Sequence, residues 1–196
     1  MQTAIDEIQD FWFGPLDETG MAGPGQQKMW FSASDETDAT LRQRFAPLVT
    51  AALVRELDDW ASEDAGLVAL VLLLDQFTRN IHRGTALAFA GDPLALALSR
   101  EAIAAGRDQH LPAIHRVFLY MPLEHSEDLA AQEECVSLFA QLARDTGSQQ
   151  VADFSRYAVA HRNVINRFGR FPHRNAILGR DSSAAELAHL QQHGGF

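Results

Sequence analysis

Apolar residues recur at helical spacing along almost the whole chain, and no stretch of useful length alternates as a strand would. That leaves one fold class, all-α. The extreme case is residues 65–74, ten apolar or small residues in a row. Such a run is about half a membrane span, so it reads as a buried core helix and predicts no membrane association. Helix boundaries follow from caps and breakers. Thr3 opens a first helix with Ile5, Ile8 and Trp12 on one face, and Gly14-Pro15 stops it. Ser34 or Asp35 opens the helix holding Leu41, Phe45, Leu48 and Ala52, which Pro47 is expected to kink or split. Ser62 is read as the cap of the helix through 67–81, and Asp92-Pro93 as the start of the next, closed by Gly106.

Further on, residues 112–121 read as a short helix ending before Pro122, and a helix from near Ser126 to Thr146 is stopped by Gly147. Ser148 opens 149–168, stopped by Gly169, and Ser183 with Glu186 forms a capping box for the last helix. The expectation is about nine helices in a stack of antiparallel helical hairpins, one domain over 1–196. Residues 14–28, rich in Gly and Pro, are expected to form the one long loop.

Charge excludes some partners. Sixteen Lys and Arg against 26 Asp and Glu give a net charge of −10, which does not draw in nucleic acid or anionic lipid. The single cysteine, Cys135, rules out an internal disulfide and any multi-cysteine metal site, and its apolar neighbours make it a buried, inert thiol. The N-terminus carries no secretory signal, so the expected compartment is the cytoplasm.

Against this acidic background one segment is inverted. Residues 154–180 hold six arginines, 156, 162, 167, 170, 174 and 180, and no Asp or Glu, so the segment is +6 and the rest −16. Either it binds an anion or it docks on acidic helices of the same protein. Asp75 follows the apolar run and must be paired or protonated if buried; Arg79 is one turn on and Arg83 another. Glu124, His125, Ser126 and Glu127 crowd polar groups at a helix start. After Gly169, Arg170, His173, Arg174 and Asn175 make a run of donors suited to a carboxylate or other anion. His161 lies on the apolar side of its helix and reads as a core histidine. His189 and His193 sit one turn apart on what reads as a solvated face. No His-Glu-x-x-His spacing occurs, and no metal site is assigned.

The order of these motifs resembles one family. Leu72-Leu-Leu-Asp-Gln-Phe-Thr-Arg-Asn-Ile81 with Arg83-Gly84, then Pro122-Leu-Glu-His-Ser-Glu127, then Phe168-Gly-Arg-Phe-Pro-His-Arg-Asn175 with Leu178-Gly-Arg180 look like the bacterial Domain of Unknown Function 924 family. Trp30-Phe31 and Asp59-Trp60 fit it too. The resemblance spans about residues 5–190. It implies an all-α fold similar to tetratricopeptide-repeat proteins, and no known activity. Thr78 stands where the family usually has proline, which should leave the helix end less sharply bent, and His82 where it is more often hydrophobic.

Three functions follow as expectations. The first is a binding module that holds a small anionic molecule or peptide carboxylate through Arg79, Arg83, Arg170, Arg174 and Asn175. The second is an enzyme, in concrete form a metal-assisted hydrolase, with Asp75, Glu124, His125, His161 and His173 as candidate acid–base groups. The third is a buried polar core in which these motifs only fix helix register.

Overall fold

The computed structural model describes residues 2–32 and 34–195. Its helices are α1 (Gln2–Phe13), α2 (Pro24–Phe31), α3 (Asp35–Leu53), α4 (Asp64–Val71), α5 (Thr78–Ile81), α6 (Asp92–Ala104), α7 (Ala113–Glu124), α8 (Leu129–Thr146), α9 (Gln149–Phe168) and α10 (Ala184–His193). A six-residue π-helical turn, Leu72–Phe77, joins α4 to α5, so 64–81 is one continuous helix and the described residues hold nine helical runs. The only strand-like pairing among them is an isolated bridge between Leu16 and Ala22. The chain is all-α. It divides into two compact units, one reaching to Arg83 and including Leu87–Pro122, the other comprising Gly84–Ala86 and the residues from Leu123 on.

In the first unit, α1 buries Ile5, Ile8, Trp12 and Phe13, and α3 buries Leu41, Phe45, Val49 and Ala52. Their aromatic rings interlock. Phe11 meets Phe45 edge-on at 5.5 Å, Trp12 lies 5.3 Å from Phe77, and Phe13 lies 5.4 Å from Phe118. Several boundaries differ from expectation. Gln2 and Thr3 are already helical, so Thr3 is not the cap of α1. Pro24 begins α2, which shortens the expected 14–28 loop to 14–23; a proline at the first helical position forfeits no intrahelical bond. Pro47 does not split α3, which runs through it with the proline on its exposed side. Ser62 lies in a 3₁₀ turn, and Glu63 is the residue that precedes α4.

The long apolar run is buried on all sides through Gly66–Leu74, as expected. Its π turn was not legible in the sequence. The Thr78 N–H reaches back five residues to the Leu73 carbonyl, and the Thr78 hydroxyl donates to the Leu74 carbonyl at 2.6 Å. The helix therefore passes Thr78 and ends at Ile81. Gly91 fits against this turn so closely that a Cβ there would lie 2.1 Å from the Leu74 carbonyl oxygen. Gly91 precedes α6, with Asp92 and Pro93 as its first two residues.

In the second unit, α8 and α9 form a tightly joined hairpin. Gly147 ends α8 in a left-handed conformation, and the Ser148 hydroxyl accepts from the Val151 N–H to start α9. The seam buries Cys135, Phe139 and Leu142 against Val151, Phe154 and Ala158. Burial pushes the Cys135 thiol up, leaving it inert. Asp128, not Ser126, caps α8, accepting from the Ala131 N–H at 2.7 Å. α7 runs through Pro122 to Glu124 instead of ending before it. The capping box of α10 is present as read.

Candidate functional site

The first unit holds Asp75, Arg79 and Arg83. The π turn places Asp75 in the interior with essentially no exposed surface. Its carboxylate receives Arg79 Nη1 at 3.1 Å and Gln76 Nε2 at 2.6 Å. Arg79 also donates to the Asp75 carbonyl at 2.5 Å and holds Asp92 at 2.9 Å. Arg79 thus ties the π turn to the start of α6. Arg83 grips Asp38 of α3 with two bonds, 2.6 and 3.0 Å, and Asn80 adds a third at 2.8 Å. Burial opposes the charge on Asp38, but the bonds from Arg83 and Asn80 outweigh it and hold its carboxyl below the usual range.

The second unit gathers Glu124, His125, His161, His173 and Arg174. The end of α7 carries Glu124 and the turn after it His125; α9 carries His161; the 3₁₀ turn Pro172–Arg174 carries His173 and Arg174. His161 Nδ1 lies 2.9 Å from the Tyr157 carbonyl and 3.1 Å from Glu124 Oε1. Burial pushes the imidazole down to about 3, and His125, His173 and Arg174 push it the same way. The ring is neutral at physiological pH, so its contact with Glu124 is a hydrogen bond to a carboxyl group rather than an ion pair. Phe171 packs between the rings of His161 and His173, 5.6 Å from each. The His125 ring lies 6.3 Å from that of His161. Arg174 lies flat over Phe171 at 4.6 Å and donates to the His125 carbonyl at 2.9 Å. A carboxyl-supported neutral imidazole is an arrangement that acid–base catalysis uses, although here it is largely shut from solvent.

The loop after α9 is tied down residue by residue. Arg170 clasps Glu186 with two bonds, 2.7 and 3.0 Å, and this pairing, with the Ser183 N–H, holds the Glu186 carboxyl well below its ordinary range. Arg180 clasps Glu127 at 2.6 and 2.9 Å. Glu127 also accepts the Phe171 N–H at 2.8 Å; these bonds overcome its burial and lower its carboxyl. Asn175 is fully buried. It donates to Ser182 at 3.0 Å and accepts from Arg180 at 2.9 Å. Of the basic inversion read in the sequence, Arg170 and Arg180 therefore meet acidic groups of this same unit.

One cleft in this unit is different. The end of α9, the 3₁₀ turn and the end of α10 enclose about 450 Å³. Val164, Phe168, Pro172 and Leu190 supply apolar walls, while Arg167, His173, His189 and His193 supply the nitrogen groups. No Asp or Glu lines it. Phe168 and His189 pack with ring centres 5.2 Å apart, His189 and His193 4.8 Å apart, and Arg167 lies 4.7 Å over Phe168. The His189 Nδ1 is buried and has no hydrogen-bond partner among the described residues. Its imidazole is pushed down by burial, then by His193 and Arg167. Gly195 passes so near His173 that a Cβ there would lie 2.9 Å from the histidine Cβ.

Sequence reading placed His189 and His193 on a solvated face. His193 is indeed exposed and His189 half-buried; the structure adds that both line this cleft with Arg167, because His189 packs on Phe168 at the end of α9. The charge inversion contained the signal for Arg167, but nothing local marked the two histidines. A buried trio in the first unit also escaped notice: Tyr120 donates to Asp108 at 2.5 Å and accepts from Arg116 at 3.2 Å, and burial raises the phenol. Among the described residues no three His, Cys, Asp or Glu side chains are placed to hold a metal ion, and no helix is long and apolar enough to cross a membrane.

Comparison with known proteins agrees with the motifs. Residues 8–194 match the family described as "Bacterial protein of unknown function (DUF924)". A solved structure, described as "Protein of Unknown Function ATU0120 from Agrobacterium tumefaciens", is 38% identical, with a TM-score of 0.81 over 97% of this chain and 98% of that one. No curated protein matches the chain.

Proposed function

The chain belongs to the DUF924 family of bacterial proteins of unknown function, which supplies no activity, and from the site itself we propose a binding module for a small anion or peptide carboxylate. One observation carries this reading: in a protein of net charge −10, a cleft of about 450 Å³ is lined by one arginine, three histidines and no acid. An anion entering it meets a permanent positive charge on Arg167 and imidazole rings that can donate N–H bonds. A cation finds no counter-charge in the lining. His173, named from sequence, is part of this site; Arg170, Arg174 and Asn175 hold internal acceptors in the same unit and Arg79 and Arg83 hold theirs in the other, each set a structural frame of its own unit. The polar-core reading thus describes the frame, and the binding reading describes the cleft.

The test is calorimetric titration with acetate and inorganic phosphate at pH 6, on the intact chain and on Arg167→Ala. Binding is expected for the intact chain and a loss of about tenfold in affinity for the variant, about 1.4 kcal/mol. Equal affinity in the two proteins would remove the proposal.

A further inference from the structure

We infer that the ligand of this cleft is a small carboxylic acid carried on a flat aromatic body; the inference rests on the anion-binding reading and narrows it. Size is the first argument. A cleft of about 450 Å³ lies within the range of sites that enclose a whole organic molecule, roughly 300–1,000 Å³, and acetate or phosphate leaves most of it empty. The second argument is the shape of the walls. Phe168, His189 and His193 pack as three successive tilted rings along the wall, with Arg167 over Phe168, and Val164, Pro172 and Leu190 complete an apolar slot. A flat ring fills such a slot by stacking and by removing apolar surface from water.

The third argument is polarity. The buried Nδ1 of His189 lacks a partner among the described residues, and a buried nitrogen without a hydrogen bond costs free energy until a ligand supplies one. A carboxylate oxygen accepts from that nitrogen once it carries a proton, while the other oxygen is within the field of Arg167. The absence of Asp and Glu from the lining disfavours an ammonium group, so the ligand is an acid rather than an amino acid.

Four probes test this on the intact chain: 3-phenylpropanoate, its neutral amide, acetate and inorganic phosphate, each titrated with proton–nitrogen NMR reporting at Arg167 and the cleft histidines. A blocked tripeptide ending in phenylalanine is the fifth. The acid is expected to bind at least about tenfold more tightly than acetate or phosphate, and its amide at least about tenfold more weakly than the acid. The shifts should concentrate at Phe168, His189 and His193, and Leu190→Trp, which fills the slot without adding a charge, should abolish them while the melting temperature of the protein stays within a few degrees.

Phosphate or acetate binding as tightly as the aromatic acid would overturn the aromatic assignment and leave the anion reading standing. An amide as tight as the acid would overturn both. A tripeptide at least about tenfold tighter than the free acid would replace the small molecule by a peptide terminus. Silence from all five probes at millimolar concentration would overturn both readings.

Discussion

Between Arg170 and Glu186 the arginines are engaged within the protein: Arg170 and Arg180 each grip a carboxylate with two bonds, and Arg174 grips a carbonyl and a ring face. At the adjoining cleft, Arg167 and three histidines line a space that no described Asp or Glu enters. Arg167 and His173 come from the same stretch of sequence as those arginines. The two regions differ in whether an acidic side chain from elsewhere in the unit arrives at bonding distance. Glu127 and Glu186 arrive in the first case and nothing does in the second. An engaged guanidinium holds structure; one facing an acid-free cleft keeps its field for a ligand.

The comparison can be broken, beginning with the frame. Asp75→Ala removes a fully buried carboxylate and leaves Arg79 without one of its two acids; a loss of about 3–5 kcal/mol in urea-unfolding stability is expected. A change below about 1 kcal/mol would show that Asp75 does not tie the π turn to α6. Next is Glu127→Ala, which frees Arg180 and the Phe171 N–H together. Because that pair is about a quarter exposed, the expected loss is smaller, about 2 kcal/mol, and it should be accompanied by loosening of the 169–183 loop in hydrogen exchange.

Acid should then separate buried from exposed histidines. Burial holds His115 at about 4 and His161 at about 3, so the folded protein refuses protons that the unfolded chain accepts below about 6.5. Their contribution is present above that pH and is lost as pH falls from about 6.5 toward 4 and 3. The lowered carboxyls of Asp38, Glu127 and Glu186 lose theirs lower down, below the ordinary carboxyl range. His115 packs 4.4 Å from Phe13, so His115→Phe keeps the packing and removes one proton acceptor. The stability difference between pH 7 and pH 5 should shrink by about 1–2 kcal/mol; no change would place His115 in contact with water. The smallest stability effect belongs to the cleft: Arg167→Ala should alter unfolding by less than about 0.5 kcal/mol while anion binding falls, the reverse of the frame variants.

Much of this architecture was legible along the chain. The spacing of Ile5, Ile8 and Trp12, the capping box at Ser183 and Glu186, and the stops at Gly147 and Gly169 are local signals, and local hydrogen bonds realise them. The misread boundaries all involve proline or competing caps. Pro47 and Pro122 sit inside helices, where one lost N–H is outweighed by the packing of the rest, and Pro24 at the first helical position loses none. The pairing of Asp75 with Arg79 was readable because the two are one turn apart.

The amino-acid order by itself determined the helices, the burial of the 65–74 run, the positive segment from 154 to 180 and the family. Tertiary structure alone decided which arginines are spent. Asp38 meets Arg83 across 45 positions, Glu127 meets Arg180 across 53, and α10 brings His189 and His193 to Arg167 and His173. A charge pattern fixes how many positive groups a segment carries. Only the folded backbone, by choosing which carboxylates come within about 3 Å, settles which of them are neutralised and where a cleft keeps its charge.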